Sequence, residues 1–441
     1  MSQAPDTIYA LSTAPGRAGV AVIRVSGPGA DAAARTLAGP LPAPRMAVLR
    51  QFRDSVGGII DSGLLLWFAA PESFTGEDVA EFHVHGGRAV VDAMLAALAR
   101  LSGLRLAAPG EFTRRAVENG KFDLTAAEGL ADLVNAETDA QRRQALRQYD
   151  GALADLYEGW RGRLIEQAAL AEAAIDFSDE DLPEGVLDRA RSALEVIADE
   201  IARHLDDGGR GEIVRGGLRI ALIGPPNAGK SSLLNVLAKR DVAIVSEIPG
   251  TTRDVIEVRL DLGGYPVTIA DTAGLRDAGD GIEQEGVRRA LARAEASEMV
   301  VLVLDGTSDA WPSLSRDIET RVFLTAWNKR DLVPHETRED EVSVSAKTGD
   351  GIDAFVAALT AKVRALADRQ SESPPLTRAR HREALIEAED ALTRALTAPD
   401  DSPELMAEDI RLALRALGRI TGRVDVEELL DVIFREFCIG K

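Results

Sequence analysis

LRIALIGPPNAGKSSLLNVL, residues 218–237, decides the fold of the chain around it. Leu218–Ile223 is apolar except for Arg219 and has the length of a buried strand, whereas Ser232–Leu237 has helical composition. Between them, Gly224-Pro-Pro-Asn-Ala-Gly229-Lys230-Ser231 is the phosphate-binding loop pattern in its strand-to-helix context. Glycines let backbone N–H groups converge on phosphate oxygens, and the helix N-terminus adds a partial positive charge. Lys230 can reach the outer phosphates, and Ser231 offers a hydroxyl oxygen to Mg²⁺.

Three further motifs follow in order. Asp271-Thr272-Ala273-Gly274 comes after the strand-like Val267–Ala270, where a carboxylate can contact Mg²⁺ and Gly274 can turn its N–H to the terminal phosphate. Asn328-Lys329-Arg330-Asp331 follows Val322–Trp327, and Ser345-Ala346-Lys347 follows Val342–Val344. A carboxylate at Asp331 accepts from both N1–H and the 2-amino group of guanine. Adenine has a lone pair at N1 and no 2-amino group, so the arrangement selects GTP over ATP. A backbone N–H in Ser345–Lys347 can serve the guanine oxygen. Each motif ends a strand, which predicts a doubly wound α/β sheet.

Between the first two motifs, the Gly/Pro loop Ile248-Pro249-Gly250-Thr251-Thr252-Arg253-Asp254, which Ser246 and Glu247 precede, can close over the terminal phosphate, with Thr252 as second hydroxyl ligand of Mg²⁺. The nucleotide-contacting set is therefore Asn227, Ala228, Gly229, Lys230, Ser231, Ser232, residues 246–252, Asp271–Gly274, Asn328, Lys329, Asp331 and Ser345–Lys347. Gly274 is followed by Leu275, which cannot orient a water as glutamine does in many small GTPases. Arg253 and Arg276 are candidate fingers for the transition-state charge; a monovalent cation held by Asn227 and loop carbonyls is the alternative. Glu283 is the acidic group chosen to orient the water.

The 441 residues suggest two to four domains, with 45% hydrophobic and 28% charged residues as in globular proteins. No run reaches the ~18 apolar residues of a membrane span and no leader pattern opens the chain, so a cytoplasmic address is expected. Cys438 is the single cysteine, which excludes an intramolecular disulfide and a cysteine zinc cage. The 51 Lys and Arg against 72 Asp and Glu give −21, a charge that repels phosphate backbones. Short β-like runs at Val20–Val25 and Leu64–Phe68 and one helical stretch near Val90–Leu101 make residues 1–119 a small α/β domain. Helical spacing fills residues 120–212, broken by the acidic Asp176–Glu184 and closed by the Gly-rich Asp206–Gly217. It resumes over residues 376–441, so the α/β block at 213–375 reads as inserted into one discontinuous helical domain.

Outside the nucleotide motifs, four stretches resemble the MnmE (TrmE) family: APGRAGVAVIRVSG at 14–27, SFTGEDVAEFHVHGG at 73–87, PGEFTRRAVENGKFDLTAAEGLADL at 109–133 and the terminal Phe437-Cys-Ile-Gly-Lys441. The likeness covers essentially the whole chain. It implies a Ras-like P-loop GTPase domain and an N-terminal domain that dimerises and binds a reduced folate, 5-formyl- or methylene-tetrahydrofolate. It also implies GTP hydrolysis activated by K⁺ and by pairing of GTPase domains in a homodimer. The implied task is to add a carboxymethylaminomethyl or aminomethyl group to C5 of the wobble uridine of certain tRNAs, with the FAD-containing partner MnmG (GidA). By motif position, Asn227, Ser246, Ile248 and Thr251 would bind K⁺, Ser231 and Thr252 Mg²⁺, and Glu283 would orient water.

A pterin presents the amide and 2-amino edge of guanine, so Glu81 can recognise it as Asp331 recognises GTP. Arg24, Lys121 and Lys441 suit the cofactor's carboxylate and carbonyl oxygens. His83 and His85 alternate on a strand and share a face, without a cluster that would complete a metal site. Cys438 can attack a uracil ring as thiolate, or stand as a small apolar residue near a helix end. A ribosome-assembly GTPase is the competing reading, and it lacks the basic RNA-binding module such a protein would carry.

Overall fold

The computed structural model describes residues 6–176, 185–244, 257–271, 297–308, 319–367, 374–399, 402–424, 430, 433, 434, 437 and 440. The chain divides into two compact units, one of Met1–Ala131, Gln148–Glu166 and Leu414–Lys441, the other of Asp132–Arg147 and Gln167–Ala413.

In the first unit, β1 (Thr7–Leu11), β2 (Ala18–Ser26), β3 (Val48–Arg53), β4 (Ile59–Phe68), β5 (Val79–Gly86) and β6 (Leu104–Leu106) form one sheet in the order β3-β4-β5-β2-β1-β6. Its pairs are antiparallel except β1 with β6. Helices α1 (Ala30–Ala38) and α2 (Arg88–Ala99) bury Ala33, Ala34, Met94 and Leu98 against Ile23, Val25, Leu65 and Phe82. The sequence reading gives α2, displaced by two residues, and misses α1, whose buried Ala30, Ala33, Ala34 and Leu37 do follow helical spacing. Helices α3 (Glu111–Glu118) and α4 (Leu124–Val134) follow, and Leu430, Ile433, Phe434 and Phe437 pack on Leu124 and Ala127.

Next come α5 (Asp139–Tyr149), α6 (Ala152–Asp176), α7 (Val186–Leu205) and α8 (Arg210–Gly216). The second unit's sheet then runs through β7 (Leu218–Ile223), α9 (Lys230–Leu237), β8 (Glu257–Leu262), β9 (Tyr265–Asp271), β10 (Met299–Asp305), β11 (Val322–Asn328), β12 (Glu341–Ser343) and α10 (Ile352–Ala367). Its order is β12-β11-β10-β7-β9-β8, parallel except for the β8–β9 hairpin. Leu222, Ile269, Val301, Val303 and Ala326 join Leu233, Leu237, Phe355 and Leu359 in its core. The chain builds β8 and β9 on one side of β7 and then β10, β11 and β12 on the other, so the end of β7 is the switch point where doubly wound sheets bind ligands. Helices α11 (Ala379–Thr397) and α12 (Pro403–Thr421) follow. No described helix is long and apolar enough to cross a membrane.

Candidate nucleotide site

Beyond β7 the chain turns through Gly224 and enters α9 at Gly229, whose φ of 91° is the left-handed region a side chain avoids. A Cβ on Gly224 would lie 1.9 Å from the Val303 carbonyl oxygen, and one on Gly229 2.1 Å from Asn328 Nδ2. The loop backbone is thus pressed against the ends of β10 and β11, with no room for anything larger than glycine. Lys230 is 7% exposed, and its ammonium donates to the carbonyl oxygens of Gly224 and Pro225, each at 2.9 Å. The loop therefore holds its cation over an open turn of backbone at a helix N-terminus, a cradle that suits a polyphosphate. Ala228 is buried, Ser231 is half-buried, and Asn227 and Ser232 are exposed. Asp271 ends β9 in register with Leu222 on β7, at the same end of the sheet as the phosphate loop.

The base side is assembled around Asn328, 3% exposed at the end of β11. Its Nδ2 donates to the Ala228 carbonyl oxygen at 2.8 Å, and its Oδ1 accepts from the Ala346 N–H at 3.0 Å. One side chain so ties the phosphate loop to the third and fourth motifs. Ser345, fully buried, donates its hydroxyl to Asp331 Oδ1 at 2.7 Å and accepts the Thr348 N–H at 3.1 Å. That bond aims an exposed carboxylate, while Lys347 stays at the surface. The Lys329 ammonium meets Asp305 Oδ2, a partner at the end of β10 that no motif signals. Residues 246–252, Thr272, Ala273, Gly274, Glu283, Cys438 and Lys441 lie outside the described residues, as do Arg253, Leu275 and Arg276.

In the first unit, antiparallel register sets Arg24 of β2 opposite Glu81 of β5. Arg24 Nε donates to Glu81 Oε1 at 2.9 Å, and its guanidinium lies 5.3 Å from the Phe74 ring centre and 5.6 Å from that of Phe112. Burial pushes the Glu81 carboxyl up, but the His83 ring and the Arg24 charge outweigh it and hold the group below the usual carboxylate range. Sequence reading set Arg24 and Glu81 apart as two ligand contacts; the structure makes them partners. Lys121 instead donates to the Pro71 carbonyl oxygen at 2.9 Å. His85 engages Asp61 at 2.9 Å, and among the described residues no group of His, Cys, Asp and Glu could hold a metal. A cavity of about 730 Å³ beside Arg105, Glu111 and Arg115 is lined by charges already paired with one another.

Comparison with known proteins agrees with this layout. The model of the GTP-binding protein TrmE N-terminus matches residues 7–121, and that of the MnmE helical domain matches residues 124–438. The tRNA modification GTPase MnmE of Parvibaculum lavamentivorans is 59% identical over 99% of this chain and 100% of its own length. The protein of the same name from Rhodospirillum rubrum is 54% identical over 99% of both. The G domain of the T. maritima FeoB iron transporter, a solved structure 24% identical, covers 33% of this chain and 98% of its own at a TM-score of 0.25, too low to add weight. Phosphate loop, base pocket and end-to-end similarity converge: the chain belongs to the MnmE family of tRNA modification GTPases.

Proposed function

We propose that the chain hydrolyses GTP to GDP and phosphate and couples that reaction to modification of the wobble uridine of certain tRNAs. The observation that carries the reading is the Asn328 brace, which joins the phosphate loop to a base pocket ending in an oriented Asp331. Asp331 accepts from guanine N1–H and its 2-amino group. Lys230 exchanges its two carbonyl partners for phosphate oxygens, which offer it full rather than partial negative charge. Ser231, Asp271 and Thr252 would hold Mg²⁺, which when bound neutralises charge on the outer phosphates. Asn227, Ser246, Ile248 and Thr251 would hold K⁺, and Glu283 would orient the water that displaces GDP from the terminal phosphorus.

The finer assignments follow the family. The domains are taken as 1–119, 120–212 with 376–441, and 213–375. A homodimer forms through the N-terminal domain, a reading supported by exposed Leu49 and Leu64, which face each other across β3 and β4 at 66% and 40% exposure. Arg24, Glu81, Lys121 and Lys441 take a reduced folate. The FAD-containing MnmG (GidA) shares the chemistry at uridine C5, where Cys438 is the candidate nucleophile, and the complex works in the cytoplasm.

GTP turnover by the purified protein in KCl and in NaCl at equal ionic strength tests the cation. A clear excess in KCl is expected, and equal rates remove K⁺ from the mechanism. Mass analysis of wobble nucleosides from a strain lacking the chain tests the task; unchanged modification sinks it.

A further inference from the structure

Asp305 closes β10 directly beside Asn328 of β11, in parallel register. Its Oδ1 accepts both the Thr307 N–H at 2.9 Å and the Thr307 hydroxyl at 2.7 Å, and its Oδ2 meets the Lys329 ammonium. An ion pair between flexible surface side chains is worth little, because ordering them offsets the attraction. Here the carboxylate is fixed beforehand by Thr307, and its side chain is only 18% exposed. Lys329 has a φ of 67°, a left-handed conformation unfavourable for a side chain this long, so its placement is imposed by its contacts. The Leu332 N–H donates to the Lys329 carbonyl oxygen at 2.9 Å, which secures its backbone. With its ammonium and its backbone both tied, the four methylenes of Lys329 are held between two fixed ends.

We propose that Asp305 is a positioning residue of the base pocket: it clamps the Lys329 ammonium and so fixes the lysine stem as the wall against which guanine lies. This rests on the GTP-site reading above. The wall must be paid for in ordering once, and the clamp supplies that order before nucleotide arrives.

The experiment measures dissociation of mant-GDP by stopped flow, and KM and kcat for GTP, in the full chain. Asp305→Asn should raise the dissociation rate constant and KM about tenfold, as expected for losing a hydrogen bond between charged groups, with kcat within about twofold. Thr307→Val, which leaves both charges in place, should move the same two quantities by less and decides the matter where Asp305→Asn lowers soluble yield. In a Lys329→Ala background, Asp305→Asn should add nothing. Unchanged dissociation, an equal effect in both backgrounds, or a loss confined to kcat overturns the clamp. A parent that fails to bind mant-GDP overturns the GTP site itself, and the clamp with it.

Discussion

Asp331 presents a carboxylate held by one hydrogen bond from a buried serine hydroxyl, so its remaining acceptor capacity is aimed rather than free to turn. Asp331→Asn replaces an acceptor by an amide that also donates. It should weaken GTP binding at least about a hundredfold, because guanine's N–H edge then faces a donor, while a xanthosine triphosphate carrying a 2-oxo group should gain. Titration calorimetry with both nucleotides measures the change, and retained guanosine preference removes Asp331 from base selection. Asn328 acts on a different link. It touches the Ala228 carbonyl and the Ala346 N–H and connects two loops, so Asn328→Ala should lower affinity for every purine nucleotide by about tenfold without changing the preference. A preference that shifts instead would make Asn328 a base-reading residue.

In the second sheet β7, β9, β11 and β12 were legible in the sequence because each carries an apolar run leading into a motif, whereas β8 and β10 lead into none. Expected Leu218–Ile223 is β7 as observed, and Val322–Trp327 becomes β11 with Asn328 added. Partnerships across strands were not legible. Arg24 and Glu81 meet through a register between strands 57 residues apart, and Asp305 through the alignment of β10 with β11. Local composition encodes neither. The Gly-rich Asp206–Gly217 was read as punctuation, yet it contains α8, because its glycines do different jobs: Gly209 and Gly217 take left-handed φ of 71° and 81° at the helix ends. Gly211 lies inside the helix, where a Cβ would come within 1.9 Å of the Leu376 carbonyl oxygen. The segment entering the α/β sheet thus lies flat against the segment leaving it. Gly211→Ala should therefore destabilise the chain by about 1–3 kcal/mol, although alanine is the better helix former by about 1 kcal/mol. A urea midpoint equal to or above that of the parent would show that Leu376 can yield.

At the scale of the whole molecule, acid should act first through a histidine and only later through carboxylates. His204, 4% exposed at the end of α7, is pushed down from 6.5 to about 4, chiefly by burial; Asp207 opposes the shift, and the charges of His381 and Arg382 reinforce it. The unfolded chain takes up a proton near 6.5 that the folded chain refuses until about 4. Stability contributed by neutral His204 is therefore fully present above 6.5 and is lost as pH falls through that window. Asp6, Glu81 and Glu111 are held below their usual range by arginine partners or a histidine ring, so the stability they contribute is lost only as pH falls below about 4.5, the ordinary value of a glutamate. The charge of −21 works the other way, since protonating surface carboxylates relieves repulsion. At about 0.5 M KCl the screening length falls to roughly 4 Å, which damps that repulsion. Histidine should thus dominate between pH 6.5 and 5.0, a loss of about 2 kcal/mol. Urea unfolding followed by far-UV circular dichroism across that range, at constant KCl, should show the parent's midpoint falling and that of His204→Gln nearly flat. Parallel slopes in parent and variant would move the acid sensitivity away from α7 and onto the carboxylates.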